Sequence, residues 1–169
     1  MKKLIAIVLS LVFVFTFAAC GNSEHDKDNN GSSAPKEAGY YFTVGGVKIE
    51  MNALASSVTD ALGEPKSYTE EASCAFEGLD KTYGYGGYYI STYPDSDKDY
   101  IYSAWFVDDS ITTKEGMYIG STKAEVEAAY GSGCFGDSST ATLNKGDTKL
   151  IIILTDDTVS SIQYQAVVE

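Results

Sequence analysis

The sequence lacks the side chains on which several common functions depend. It contains no arginine and one histidine, and its 12 lysines stand against 24 acidic residues, which gives a net charge of −12. Nucleic-acid binding needs lysine and arginine to neutralise phosphates, and arginine reads most base edges, so this function is excluded. The histidine, His25, lies in a polar segment near the N-terminus. Because a histidine-activated nucleophile needs a rigidly held imidazole, we expect no catalytic residue and no enzyme activity.

Long apolar runs are scarce as well. The longest covers residues 4–17, and its roughly 14 residues fall short of the roughly 20 that a membrane-spanning helix needs. Lys2 and Lys3 precede this run and Ala18-Ala19-Cys20 follows it, an arrangement that resembles a bacterial lipobox. We therefore expect a lipoprotein signal over residues 1–19 and a lipid on Cys20 that anchors the protein to the extracytoplasmic side of the cell membrane. The alternatives are a spanning anchor and a plain secretory signal.

The remainder divides into a tether and one domain. Residues 20–39 are rich in Asn, Ser, Asp, Lys and Gly and nearly free of apolar side chains, so they cannot bury enough surface to fold. We expect them to form a disordered spacer after the lipid. Residues 40–169 suffice for a single domain with its own core. The glycines of residues 83–89 lack the spacing of a phosphate-binding loop, and we expect a hairpin turn there and no cofactor.

Within this domain, residues 54–63 and 122–131 share one spacing of side chains, at i, i+4, i+7 and i+8 before a glycine. Each predicts a short amphipathic helix, and Thr122 with Glu125 forms a capping-box signature. The pattern predicts an α+β domain of two tandem repeats, about 40–109 and 110–169. Helix-plus-hairpin units would form an extended antiparallel sheet, or two abutting sheets, with both helices on one face. The predicted strands are residues 82–85, 88–93, 100–107, 141–144, 149–154 and 159–167.

The second helical stretch also carries a resemblance. Residues 120–131, Gly-Ser-Thr-Lys-Ala-Glu-Val-Glu-Ala-Ala-Tyr-Gly, resemble the helix-opening signature of the fold shared by the outer-membrane assembly lipoprotein BamE and the β-lactamase inhibitory protein BLIP. Residues 73–81 and 113–120 are similar to those of uncharacterised lipoproteins from anaerobic gut Firmicutes. The resemblance implies a protein–protein interaction module with an envelope or extracellular partner. It carries over no binding residue.

The cysteines and acidic residues allow further hypotheses. With Cys20 assigned to the lipid, Cys74 and Cys134 form an even pair in an exported domain, which favours a disulfide over two free thiols. Residues 95–99 imitate the start of a calcium loop, but Tyr100 and Phe106 stand where that loop needs glycine and glutamate. We interpret these acids as turn residues and expect no metal site. Paired carboxylates acting on a glycoside remain an alternative for which no pair is singled out.

Tyrosine is the most informative abundant residue. Seven of the 13 tyrosines lie within residues 83–102. Strand alternation places Tyr100 and Tyr102 on one face together with Ala104 and Phe106, and it places Trp105 on the other face. An exposed tyrosine face would bind a protein or, alternatively, a solute or glycan, whereas core packing would bury about half of these rings. The predicted binding surface consists of Tyr83, Tyr85, Tyr88, Tyr100 and Tyr102.

Overall fold

The computed structural model describes residues 38–168, all of which belong to one compact unit. The predicted signal over residues 1–19, the lipid site Cys20 and nearly all of the predicted tether lie outside the described residues. Within residues 38–168, no helix is long and apolar enough to cross a membrane. In chain order the elements are β1 (Tyr41–Val44), β2 (Val47–Glu50), α1 (Ala55–Leu62), β3 (Ser67–Ala72), β4 (Leu79–Gly84), β5 (Tyr88–Asp95), β6 (Lys98–Phe106), α2 (Lys123–Tyr130), β7 (Thr140–Lys145), β8 (Thr148–Thr155) and β9 (Thr158–Ala166).

The strands of the described residues form two sheets. β1 and β2 pair with each other, and the other seven strands form a larger sheet in the order β3-β4-β5-β6-β9-β8-β7. Every strand pairing is antiparallel. The α+β class predicted from the sequence is therefore confirmed. Because β6 lies beside β9, the strands that follow α1 and those that follow α2 meet in the middle of the large sheet.

Three strands were not predicted from the sequence pattern. β1 and β2 are only four residues long, and in β3 all six side chains are exposed. β3 therefore shows none of the apolar–polar alternation by which a half-buried strand is identified. It forms through an unbroken antiparallel ladder with β4, from the Ser67–Gly84 pair to the Ala72–Leu79 pair. Backbone pairing at the sheet edge, rather than side-chain burial, holds this segment extended.

The two helices lie within the predicted ranges and differ in how they begin. At α2, Thr122 accepts a hydrogen bond from the backbone N–H of Glu125, and the Glu125 carboxylate accepts one from the backbone N–H of Thr122 at 2.7 Å. The predicted capping box is thus confirmed. Leu54 at the start of α1 supplies no side-chain cap. Both helices end at glycines with positive φ, Gly63 at 78° and Gly131 at 108°, a conformation that costs glycine little.

The core lies between one face of the large sheet and a layer made of both helices and the β1–β2 hairpin. Val58 of α1 and Val126 of α2 belong to the same buried cluster as the inward side chains of the central strands. Phe42 of β1 is completely buried, and its ring lies 5.1–5.7 Å from three other aromatic rings of the core. These neighbours are Tyr88, Phe106 and Tyr164. The short β1–β2 sheet therefore covers part of the core on the side opposite the large sheet.

One hydrogen-bond pattern occurs twice in the large sheet. The N–H of Ile101 in β6 donates to the carbonyl of Ala53 at 2.9 Å, and the N–H of Val159 in β9 donates to the carbonyl of Ser121 at 2.8 Å. Each bond ties the residue two positions before a helix to the last strand that follows that helix. Each of these last strands also contains one extra residue where its pairing register shifts, Tyr102 in β6 and Ser160 in β9. The connection between helix and strand is thus built alike in the two halves.

Candidate functional site

The large sheet has one covered face and one open face. Along β5, alternate side chains such as Tyr88 and Ile90 are buried beneath the helices, whereas Tyr89 and Tyr93 are half-buried. The same alternation holds along β8. We use the term open face for the side opposite the helices, and its aromatic centre consists of Tyr89, Tyr93, Tyr100, Tyr102 and Trp105.

Aromatic rings on the open face stack across neighbouring strands. Tyr89 and Trp105 are register partners whose rings are nearly parallel, with centroids 5.3 Å apart and an interplanar angle of 11°. Tyr93 and Tyr100 are also register partners, and their ring centroids lie 5.8 Å apart. Cross-strand pairs of this kind stabilise a sheet. The five rings from two adjacent strands lie on one face in two groups, Tyr89 with Trp105 and Tyr93 with Tyr100 and Tyr102, on either side of the hydrogen-bonded pair formed by Ser91 and Ser103. We call the two groups together the platform.

Because residue 84 is a glycine, the ring of Tyr89 can pack close to the sheet backbone. Gly84 of β4 is the register partner of Tyr89, and a Cβ at position 84 would come within 2.6 Å of the Cε1 atom of Tyr89. Such a Cβ would also meet the Ser67 hydroxyl of β3, so a side chain at this position would force both that hydroxyl and the ring to move. The glycine-rich segment 84–87 thus has two roles, because Gly84 accommodates a ring whereas Gly86, with φ of 101°, belongs to the predicted turn before β5.

The position of Tyr102 shows why strand alternation placed the aromatic residues incorrectly. Ser91 pairs with Ser103 but Thr92 pairs with Ile101, so Tyr102 is the extra residue of a β-bulge. The bulge shifts the alternation by one residue. Consequently Tyr100 and Tyr102 lie on the same face as Trp105, and the prediction that they share a face with Ala104 and Phe106 is wrong. Ala104 and Phe106 are buried in the core.

The other three tyrosines of the predicted binding surface lie on the covered face. Tyr88 is 3% exposed and packs edge-on against Phe42. Tyr85 stacks on Tyr88 at 5.3 Å, and Tyr83 is the register partner of the buried Ile90. Burial raises the pKa of Tyr88 to about 12, because a phenolate would be poorly solvated there. Of the five predicted residues, only Tyr100 and Tyr102 belong to the open face.

Sequence reasoning also missed several members of the open face. Tyr89, Tyr93 and Trp105 were not included in the predicted binding surface, although all three lie at its centre. The signal that would have found them is register, since each faces an aromatic residue across the β5–β6 hairpin. Beyond the aromatic centre, β8 and β9 continue the open face with amide and aliphatic side chains, namely Ile151, Ile153, Gln163 and Gln165.

At one end of the open face, the sheet and the β3–β4 connection enclose a groove with a cavity volume of about 350 Å³. Phe76 in that connection packs against Tyr93, with ring centroids 5.1 Å apart. The amide nitrogen of Gln165 donates a hydrogen bond of 2.7 Å to the Tyr102 hydroxyl, and the Tyr93 hydroxyl donates to Asn52 Oδ1 at 3.2 Å. We call this feature the end groove. Its aromatic and polar lining residues are Phe76, Asp80, Tyr93, Tyr102, Lys149 and Gln165, and residues 166–168 after Gln165 also line it.

The two cysteines are not joined in the structure. Cys74 is an exposed free thiol in the β3–β4 connection, and Cys134 is a half-buried free thiol after α2. Cys134 is next to the core residue Phe135, and burial raises the pKa of its thiol. The β3–β4 connection belongs to one edge of the large sheet, whereas the segment after α2 leads to β7 at the opposite edge. The structure therefore does not support the predicted pairing, because the topology directs the two segments to different ends of the sheet.

The acidic groups mostly occupy turns in the described residues. Asp95 pairs with Lys98 across the tight turn between β5 and β6, and Asp156 and Asp157 form the corresponding turn between β8 and β9. The interpretation of these acids as turn residues agrees with this arrangement. Among residues 38–168, no group of three or more histidine, cysteine or acidic side chains is arranged to hold a metal ion.

Comparison with protein-family models, with curated proteins and with solved structures finds no match to this chain. The open face and the end groove are therefore the features from which a function can be inferred.

Proposed function

We propose that this protein is a non-catalytic, lipid-anchored interaction module of the cell envelope, and that its open face binds a protein partner. The observation that carries this proposal is the aromatic platform of β5 and β6. Four of its rings lie outside the core cluster to which both helices and the β1–β2 hairpin contribute, namely Tyr89, Tyr93, Tyr100 and Trp105, whereas Tyr102 also packs against that cluster. Tyrosine and tryptophan are enriched in protein interfaces, since they offer a large, rigid contact area together with a hydrogen-bonding group. An aromatic sheet face of this kind suits a protein surface better than a small molecule.

The charge of the chain indicates what kind of partner fits. Acidic residues outnumber lysines two to one, so a partner that presents cationic side chains is attracted over a distance. Lysine or arginine can also bind over the faces of the open-face rings through cation–π contacts. The partner we propose is therefore an envelope or extracellular protein with apolar and cationic side chains on its contact surface.

Membrane anchoring through Cys20 is part of the same proposal. Anchoring keeps the platform close to partners in the envelope, so the effective concentration of such a partner is high. A modest affinity is then sufficient for binding. We expect Cys20→Ala to move the protein from the membrane fraction to the soluble fraction after cell breakage. Retention of this variant in the membrane would contradict the lipid anchor and would favour a spanning anchor.

The internal arrangement supports two further parts of the proposal. The paired bonds from Ile101 to Ala53 and from Val159 to Ser121, with a bulge beside each, support an origin as two copies of one helix-plus-hairpin unit. Two such copies that share one sheet are compatible with the resemblance to the BamE and BLIP fold. Since a fold by itself does not define a function, the open face remains the main argument.

Site-specific photocrosslinking in the native envelope tests the proposal. A photoreactive phenylalanine analogue replaces Trp105 on the open face, and in a matched strain it replaces Ser56, an exposed residue of α1. We expect one discrete protein adduct from position 105 and none from position 56. Adding Tyr93→Ser and Tyr100→Ser should reduce the adduct at least several-fold while the protein level stays constant. Equal crosslinking from both positions, or none from position 105, would refute the assignment of the open face.

A further inference from the structure

The end groove has the size of a site for a small molecule. Its volume of about 350 Å³ lies near the lower limit of the ~300–1,000 Å³ typical of small-molecule sites. Three aromatic rings form its wall, since Phe76 packs against Tyr93 and Tyr102 meets Tyr93 edge-on at 6.2 Å. Aromatic walls of this kind contact the apolar or planar body of a ligand. The groove is thus a recess at one end of the platform, with which it shares Tyr93 and Tyr102.

Two opposite charges line this recess without partners. The side chains of Asp80 and Lys149 are both half-buried, and within residues 38–168 neither takes part in an ion pair or a side-chain hydrogen bond. Partial burial weakens the hydration of a charged group, and an oppositely charged group on a ligand restores the lost interaction better than a neutral hydroxyl does. The groove therefore favours a ligand that carries one positive and one negative group.

The order of the strands sets the distance between Asp80 and Lys149, and therefore the distance between the two charged groups that a ligand must carry. Asp80 belongs to β4 and Lys149 to β8, and the strands β5, β6 and β9 lie between them. Four strand spacings amount to about 19 Å between the backbones of β4 and β8, and the side chains of Asp80 and Lys149 extend across part of this distance. A single amino acid carries its ammonium and carboxylate on the same carbon, so it is too short to reach both residues. An extended peptide gains about 3.3–3.6 Å per residue, so a peptide of about three residues matches the gap.

Hydrogen-bonding groups in the middle of the groove fit the same ligand. Tyr93, Tyr102 and Gln165 line the groove from β5, β6 and β9, the strands between those of Asp80 and Lys149. The Gln165 amide donates to the Tyr102 hydroxyl, and the Tyr93 hydroxyl donates to Asn52. Amide and hydroxyl groups can both donate and accept, as the alternating N–H and C=O groups of a peptide backbone require. We propose that the end groove binds a short peptide with free termini, whose ammonium group pairs with Asp80 and whose carboxylate pairs with Lys149.

This site shares Tyr93 and Tyr102 with the platform, but peptide binding there does not require the proposed protein partner. The full-length protein in detergent is titrated calorimetrically with Ala-Tyr-Ala, with the same peptide acetylated at its N-terminus, and with the same peptide amidated at its C-terminus. We expect the unmodified peptide to bind and each blocked peptide to bind about tenfold more weakly, because each block removes one charge-assisted contact.

Variants connect each terminus to one residue. Lys149→Met should weaken binding of the unmodified peptide about tenfold but should leave binding of the amidated peptide unchanged from the parent protein. Asp80→Asn should likewise weaken binding of the unmodified peptide about tenfold, but it should leave binding of the acetylated peptide unchanged from the parent protein. Lys98→Met and Asp95→Asn, which remove the same charges at the exposed β5–β6 turn, serve as matched controls and should have no effect.

Three results would overturn the proposal. These are equal binding of free and blocked peptides, loss of binding in the control variants, and absence of peptide binding by the parent protein. Binding of a neutral oligosaccharide in place of the peptide would assign the groove to glycans instead. Thermal unfolding of every variant near the parent temperature confirms that the compared proteins are folded.

Discussion

Replacing Phe42 by alanine tests whether the β1–β2 hairpin is an essential part of the core. The Phe42 ring is completely buried and lies within 5.1–5.7 Å of the ring centroids of Tyr88, Phe106 and Tyr164. Removing a buried phenylalanine ring costs about 3–5 kcal/mol through lost burial and the cavity left behind. Loss of three aromatic pairs favours the upper half of this range, since each pair contributes about 0.5–1.5 kcal/mol beyond its burial.

This cost is a large share of the total stability. Domains of this size unfold with a free energy of about 5–15 kcal/mol, so Phe42→Ala should leave the domain near the limit of folding. Urea unfolding measures the loss, with fluorescence of Trp105 as the probe because this residue is the only tryptophan. Trp105 lies on the open face, away from Phe42, so its signal reports global unfolding rather than a local change.

A neighbouring residue provides the control. Tyr41 is on the same strand but is only half-buried, and its ring contacts Lys48 and Lys114 instead of the core. Tyr41→Ala should cost about 1 kcal/mol or less, because surface substitutions usually have small effects. If Phe42→Ala lost under 1 kcal/mol, or no more than Tyr41→Ala, the hairpin would be peripheral and the described core would be incorrect.

Two more predictions concern α2 and the open face. Thr122→Ala removes the two side-chain hydrogen bonds of the capping box and should cost about 0.5–2 kcal/mol in urea unfolding. The pKa of Glu125 is lowered first by the bond from the Thr122 backbone N–H, which the variant keeps, and then by the bond from the Thr122 hydroxyl, which the variant loses. The stability that the hydroxyl bond contributes is present above the unfolded pKa and disappears as pH falls through the lower folded pKa. The difference between parent and variant should therefore shrink in acid, and a difference that grew there would contradict the cap. Gly84→Ala should push the Tyr89 ring off the sheet, cost about 1–3 kcal/mol and shift the emission of the stacked tryptophan. Unchanged emission and stability would show that this ring has room to move.

Local patterns in the sequence carried much of the fold. The helical spacing at residues 54–63 and 122–131 predicted both helices, and the capping box at Thr122 and Glu125 is local chemistry that needs no tertiary contact. Apolar and aromatic segments predicted the six strands from β4 to β9. The signal is strongest in β5, β6, β8 and β9, because these strands bury one face and their composition shows it. β3 was not predicted, because its six exposed residues are held by backbone pairing with β4 alone.

The candidate site depended on information that the sequence does not contain. The number of tyrosines indicated an aromatic surface, but a β-bulge is defined by the pairing of two strands and cannot be seen in one of them. The extra residue at Tyr102 reversed the predicted face for Tyr100 and Tyr102 and grouped them with Trp105. Packing by Phe42, from a hairpin that was not predicted, turned Tyr88 into a core residue.

The sequence by itself thus determined the α+β class, the two helices, the principal strands and the abundance of aromatic side chains in β5 and β6. These properties follow from composition, spacing and local hydrogen bonds, which act over a few residues. Only the tertiary structure decided which rings remain accessible and which charges line the end groove. Register, strand order and the covering layer arise from contacts between segments that are distant in the sequence. Asp80 and Lys149 line the same groove only because these contacts bring their strands, β4 and β8, into one sheet.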